Sequence, residues 1–347
     1  MFLNDAILDW FCLINTKGIG PKTFWALMKA YKTASESLKH VENPFSKSMA
    51  EKVLKGMNCE VILANDQFFP KSLRRSVSCP PLLFFKGDKS ILSKRKIAII
   101  GARNASIAGR NIAKNLASNL SVDFAIVSGL AKGIDSAAHL GALEEDKAAI
   151  AIVPFGFDNI YPKENQKLFE EIAEKGLVLS EIHYGKPVDQ GMFQARNRII
   201  SLIAEGMIVI EAAYKSGSMA TASMALDFGC EIMVVPGSPA DPRNLGSNLL
   251  IKNGASLIQN SQDVLEILGR PAKPTPIIQD IPQKTETQSV QKDEVLALLS
   301  ETPVSLDELS AHLNLNLRDL LCLISELEIS EKICRYPNNE IALNRKI

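Results

Sequence analysis

From residue 97 onward, short unbroken apolar runs alternate with stretches of helical period. Residues 97–100 are continuously apolar and stop at Gly101-Ala102-Arg103. Ile112, Leu116 and Leu120 then repeat at helical spacing. A second run, 124–127, is closed by Ser128-Gly129-Leu130-Ala131-Lys132-Gly133, and a helix is predicted over about 135–143. Further strands are predicted at 148–153, 177–179, 207–210 and 232–235. Strands that are apolar throughout, separated by helices, imply a parallel sheet covered on both faces. The fold class is therefore α/β, a Rossmann-like doubly wound sheet ending near Leu268. Several strands end in Gly, Ser or Arg, and the carboxyl ends of such strands line a ligand crevice.

The flanks differ. Within 1–55, Ile7, Leu8, Phe11 and Ile14 predict one helix and Phe24, Leu27, Met28 and Tyr31 a second. Gly18-Ile19-Gly20 joins them in a helix-hairpin-helix-like pattern that serves equally as a tight αα-turn. Residues 56–96 open the Rossmann-like region with a proline-broken passage. An edge strand is expected at 82–86, and Lys94-Arg95-Lys96 reads as a solvated strand entry. Residues 269–290, rich in Pro, Gln and Thr, read as a linker. The last segment, 291–347, predicts a helix at 294–299, a second started by Ser305 with Glu308 three residues on, and a Leu-rich third. A hairpin around Pro337-Asn338-Asn339 completes a winged-helix pattern. Its third helix carries Arg318 against Asp319, Glu326 and Glu328, which favours protein contact or a structural role over DNA reading.

At 46% hydrophobic and 22% charged residues, the chain reads as an ordinary globular protein, with no apolar run long enough to span a bilayer. The opening MFLNDAILDWF lacks the basic region of a signal peptide. Six scattered cysteines with no CxxC pair fit a reducing cytoplasmic setting and no metal site. The 39 basic and 39 acidic residues balance, but unevenly. Residues 1–96 carry 16 basic and 8 acidic, 97–268 carry 14 and 19, and 291–347 carry 6 and 10. A polyanion must therefore use a local basic patch.

The stretch 193–221 offers such chemistry. The apolar run 207–212 is followed by Ser216-Gly217-Ser218 and then a small-residue helix. Strand, glycine loop and helix present backbone N–H groups and a positive helix end to an anion. Arg196 and Arg198 lie just upstream, flanking Asn197. If the segment is extended they share a face; if helical they diverge, and one of them, Arg198 for preference, pairs with Glu181 or Glu211. Arg103 at its strand end faces the same crevice, and Lys132, Lys163, Lys186 and Lys215 lie on loops that the sheet brings near it. Backbone N–H groups of 129–133 and 216–218 are further candidates. Phe155, Phe157, Tyr161, Phe193 and Tyr214 are candidate base-stacking surfaces. Blander readings stand beside these. Gly129, Gly133 and Gly217 serve turn geometry first, Asp135 is a helix N-terminal charge, and His139 is a satisfied buried histidine.

The central region resembles the DprA/Smf family of DNA-processing proteins. The resemblance rests on an ordered set: Gly101-Ala102-Arg103, SGLAKGID (128–135), AHLGAL (138–143), GFDNIYPKEN (156–165), LSE (179–181), FQARNRIIS (193–201), EAAYKSGSMATA (211–222), VVPG (234–237) and GSNLLIKNGA (246–255). The flanking regions match a common layout of that family. One departure is Ala102, where the family usually has serine. The resemblance implies a non-enzymatic protein, without cofactor, that binds single-stranded DNA and loads RecA during natural transformation as a homodimer. The implied binding residues are Gly101, Arg103, Gly129, Lys132, Gly133, Lys163, Lys186, Arg196, Asn197, Arg198, Lys215, Ser216, Gly217 and Ser218.

Two alternatives keep the fold and change the function. The domain also resembles phosphoribohydrolases, whose PGGxGTxxE motif ends in a catalytic carboxylate. Here Met224 takes that position, and a thioether cannot do a carboxylate's work. Glu211 is the possible substitute. A small-nucleotide sensor is the other, weakened by the lack of a GxGxxG turn.

Overall fold

The computed structural model describes residues 4–144, 148–269 and, with interruptions, 295–344. The chain divides into two compact units, 1–272 and 273–347. The expected linker, apart from Gly269, and the expected tip at 337–339 lie outside the described residues.

The first unit opens with four helices, α1 (Asp5–Asn15), α2 (Pro21–Tyr31), α3 (Ala34–Leu38) and α4 (Lys47–Lys55). Asn4 caps α1 through its side chain, and Pro21 begins α2, where a missing N–H costs nothing. Gly18 turns the chain between them at φ +85°. Trp10 meets Phe24 at a tilt and Trp25 edge-on, and the Trp25 indole N–H donates to the Cys79 carbonyl at 2.8 Å. That bond fastens the helices to the passage just ahead of Leu82.

The sheet strands are β1 (Glu60–Leu63), β2 (Leu82–Gly87), β3 (Lys96–Gly101), β4 (Ala125–Ser128), β5 (Ala149–Val153), β6 (Leu177–Ser180), β7 (Gly206–Ile210), β8 (Glu231–Val234) and β9 (Ser256–Leu257). The helices among them are α5 (Lys71–Arg74), α6 (Ile107–Leu120), α7 (Ile134–Leu143), α8 (Gln166–Lys175), α9 (Gln190–Ile203), α10 (Gly217–Asp227), α11 (Leu245–Lys252) and α12 (Ser261–Ile267). Among the described residues the strand order is β1-β2-β6-β5-β4-β3-β7-β8-β9. From β6 to β9 every pairing is parallel, while β2 runs antiparallel to both β1 and β6. The doubly wound sheet thus matches the pattern of apolar runs. Strands β4, β5, β6 and β7 are buried at every position, as unbroken runs require.

Two expectations are corrected here. The strand at 82–86 is not at the edge: β1 covers it, and the run Leu82-Leu83-Phe84-Phe85 is apolar on both faces and wholly buried. The edge belongs to β1, whose burial is partial. Lys96 is no solvated entry either. Its side chain is buried, its Nζ donates to the Lys94 carbonyl at 2.7 Å, and burial lowers its pKa. Lys94 is exposed and Arg95 pairs with Glu205 at 2.6 Å, as expected of surface charges.

In the second unit, β10 (Val304–Ser305), β12 (Glu340–Leu343) and β11 (Ile333–Tyr336) form a sheet in that order, all antiparallel. Helices Leu306–Leu313 and Leu317–Ile329 pack on it around Leu309, Leu320, Ile324 and Ile341. The Ser305 hydroxyl accepts from the Glu308 N–H, as the capping pattern predicted. This is the winged-helix arrangement. Residues 295, 296 and 298 are helical within the expected 294–299; the Arg318 side chain lies outside what is described.

Candidate nucleic-acid interface

Strand β3 stands where the sheet reverses direction. The chain builds β4, β5 and β6 on one side of it, then returns to lay β7, β8 and β9 on the other. At such a switch point the connections from neighbouring strands leave in opposite directions and open a crevice. A cavity of about 500 Å³ lies there. Gly101, Ala102 and Arg103 line it from the end of β3, Arg196 and Asn197 from α9, and Ser216, Gly217 and Ser218 from the start of α10. Arg103 also borders a smaller cavity of about 60 Å³, shared with Lys132, Tyr161 and Phe193.

The floor of the cavity is held by an internal network. Ser216 caps α10, its hydroxyl accepting from the Met219 N–H. The Ser218 hydroxyl donates to the Gly101 carbonyl at 2.7 Å, tying the helix start to the end of β3. The N–H groups of Gly217 and Ser218 find no acceptor among the described residues, and they sit at the positive end of an 11-residue helix. Gly101 admits no side chain: a Cβ there would meet the Ile210 carbonyl at 1.9 Å. Gly133, at φ +81°, caps α7 beneath the Ala102 and Arg103 carbonyls.

Of the two α9 arginines, neither is a free surface charge. The segment is helical, so the side chains diverge. Arg196 is buried, and its Nη1 donates to the carbonyls of Gly129 at 2.5 Å and Ile152 at 2.6 Å. Burial pulls its pKa down to about 10. Arg198 turns the other way and pairs with Glu181 at 2.5 Å, one of the two partners the sequence reading left open for it. Burial pushes the Glu181 carboxyl up, and Arg198 opposes that rise. Lys186 lies with this pair beside Ile19 and Gly20 in a separate cavity of about 270 Å³, away from the switch point. The loop amides are also partly spoken for. The N–H groups of Gly129 and Ala131 donate to Asp135 at 3.1 and 3.3 Å, so they do not await a ligand. Asp135 is thus a buried carboxylate. Burial raises its pKa, with Arg196 and these N–H groups opposing the rise.

Arg103 is different. It is exposed, makes no ion pair among the described residues, and lies 5.7 Å over the Phe193 ring. Tyr161, half exposed, meets Phe193 edge-on at 6.1 Å. Lys132 is exposed and paired with Glu164 at 2.6 Å; Lys163 and Lys215 are exposed, Lys215 over the Tyr214 ring. Phe155 and Phe157 are buried and drop out as stacking surfaces.

Three further results bear on the chemistry. Glu211 is buried, and its carboxylate accepts from the Ser106 N–H at 2.8 Å and from the Ser106 hydroxyl, holding the cap of α6. His139 is wholly buried, but neither ring nitrogen has a hydrogen-bond partner among the described residues, so the expected satisfaction is absent there. Burial drives its pKa down to about 3. Arg243 lines the switch-point cavity while pairing with Asp241 at 2.6 Å. Sequence reasoning passed over it, although it follows a strand-terminal Pro236-Gly237 much as Arg103 follows β3. Among the described residues no cluster of side chains suits a metal ion, and no helix is long and apolar enough to cross a membrane.

Comparison with known proteins gives three family matches. The family described as DNA recombination-mediator protein A matches residues 60–269, a DprA-like N-terminal HHH domain matches 4–44, and a DprA winged helix domain matches 279–339. DNA processing protein DprA of Streptococcus pneumoniae is 40% identical over 200 residues, covering 58% of this chain and 71% of that protein. Protein Smf of Escherichia coli is 30% identical over 296 residues, covering 83% and 78%. The crystal structure of the pneumococcal protein aligns with TM-score 0.62 at 31% identity, covering 75% of this chain and 90% of that one. A structure of DNA processing protein A from Helicobacter pylori, described as giving insight into its single-stranded DNA binding mode, aligns with TM-score 0.56 at 32% identity over 61% of this chain and 96% of that one.

Proposed function

This chain belongs to the DNA recombination-mediator protein A (DprA/Smf) family, and on that premise we propose that it binds single-stranded DNA at the switch-point cavity without sequence preference. The observation that carries the reading is Arg103, an exposed guanidinium without an ion pair among the described residues, 5.7 Å over the Phe193 ring at the cavity mouth. A phosphate there meets Arg103 on one side and the free Gly217 and Ser218 amides on the other. Phe193 and Tyr161 offer faces to the bases beside it. Gly101, Gly129 and Gly133 shape the site, and Arg196 supplies a buried positive charge behind it. Lys132, Lys163 and Lys215 are flanking contacts. Arg198 and Lys186 support α9 from its far side.

The same proposal includes a homodimer formed through the sheet domain and delivery of the strand to RecA, both supported by family membership. Hydrolysis is not part of it. The Glu211 carboxylate is engaged by Ser106, and Met224 stands where a catalytic carboxylate would be needed.

Fluorescence anisotropy with a labelled single strand and with duplex, over a salt series, tests this. The single strand binds tighter, and Arg103→Ala lowers the salt slope by about 0.7 for the one phosphate contact removed. Equal binding of both forms, or a slope unchanged by Arg103→Ala, overturns the reading.

A further inference from the structure

We infer that the groove between α6 and α7 is a second phosphate-binding surface, which carries the single strand onward from the switch-point cavity through Arg110, Asn111 and Lys114. The inference rests on the reading of that cavity as a single-strand site. The groove has a volume of about 530 Å³, and Arg103 and Asn104 line both it and the cavity, so the two are continuous. Its charge is unlike that of its surroundings. Residues 97–268 carry 14 basic and 19 acidic residues, yet Arg103, Arg110, Lys114 and Lys132 line the groove with Glu164, and Glu144 stands beside Lys114.

The donors are available. Arg110 and Asn111 are exposed and have neither ion pair nor side-chain hydrogen bond among the described residues. Lys114 rests on Glu144 at 2.6 Å and Lys132 on Glu164 at 2.6 Å, with every one of these side chains at least 44% exposed. Ion pairs this exposed are weak and are readily exchanged for phosphate. They hold the ammonium groups at the groove's rim until a stronger anion arrives.

The geometry of the groove is fixed by packing. A Cβ on Gly141 of α7 would meet the Lys114 carbonyl of α6 at 2.1 Å, so the helices touch backbone to backbone there. Leu140, 47% exposed, and Ala137 give the groove an apolar face on which a sugar or base edge can rest. Cationic rim and apolar floor together suit a single strand, whose bases are unpaired, better than a duplex.

The test separates the groove from the cavity by length. Affinity and salt slope are measured for oligothymidylates of roughly six and roughly twenty nucleotides, either side of most single-strand site sizes. Wild type, Arg103→Ala and the double variant Arg110→Ala/Lys114→Ala are compared. These are exposed helix positions where alanine favours the helix. The double variant is expected to bind the long strand about tenfold more weakly, with a slope lower by about 1.4 for two contacts. Its binding of the short strand is expected to match wild type. Equal loss on both lengths, or none on either, overturns the groove while Arg103→Ala still reports on the cavity. If wild type binds neither strand, the cavity reading fails and the groove falls with it.

Discussion

The Nη1 of Arg196 occupies the space that a side chain on Gly129 would need, 1.9 Å from the position of such a Cβ, and donates to that residue's own carbonyl. The glycine and the arginine are 67 positions apart and are one structural unit. Gly129→Ala forces the guanidinium away from the two carbonyls that hold it. Overpacking of a tight interior costs about 1–3 kcal/mol. Urea denaturation is expected to show a loss in that range, with weaker single-strand binding because the cavity wall moves. Unchanged stability would mean that Arg196 has another place to go.

Arg198 and Glu181 give a sharper stability test. The pair is largely buried, at 14% and 18% exposure, so removing one member strands the other at a cost approaching the roughly 3–5 kcal/mol of a fully buried pair. Arg198→Ala is therefore expected to lower the denaturation midpoint far more than Arg103→Ala, which removes an exposed side chain and costs within about 0.5 kcal/mol. The combined variant Arg198→Met/Glu181→Leu recovers most of the loss, since no charge is left buried.

His139 sets a pH dependence. Its pKa falls from the ordinary 6.5 to about 3 in the folded protein because burial penalises the imidazolium. As pH drops below 6.5 the unfolded chain binds a proton that the folded one refuses. Stability then falls with pH, by up to about 1.4 kcal/mol per unit, until the folded-state value is reached. His139→Leu is expected to remove this component, so the gap between variant and wild type widens from pH 6.5 to 5. A constant gap would place the titration elsewhere.

Ala102 lines the cavity beside Arg103. Ala102→Ser adds one hydroxyl donor beside Arg103. A hydrogen bond to a charged acceptor contributes about 1.5 kcal/mol, roughly tenfold in affinity. Tighter single-strand binding without a change in salt slope is the expected result of anisotropy titration.

Charge placement was the part of the site least legible in sequence. Arg103, Arg196 and Arg198 look alike there, each near Gly, Asn or the end of an apolar run. The roles of the two on α9 diverge because a helix turns residues two apart to different neighbours, Arg196 toward the Gly129 loop and Arg198 toward Glu181. Lys186 was expected at the crevice, but the loop that carries it places it with Glu181 and Arg198 in a separate cavity. The buried Lys96 was hidden because a charge run carries no mark of what later packs over it.

What the sequence determined by itself was the layering. Unbroken apolar runs of four to six residues must be covered on both faces, which required the doubly wound sheet and put its glycine-rich strand ends at one rim. Local capping was equally readable at Ser305, because a cap acts over three residues. Only the tertiary structure decided that β2 lies inside the sheet, that Gly129 is shaped by an arginine, and that Arg103 alone of the three arginines stands free of carboxylate and carbonyl partners. Those outcomes depend on contacts between residues far apart in the chain, and burial and pairing of charge are settled by such contacts rather than by neighbours in sequence.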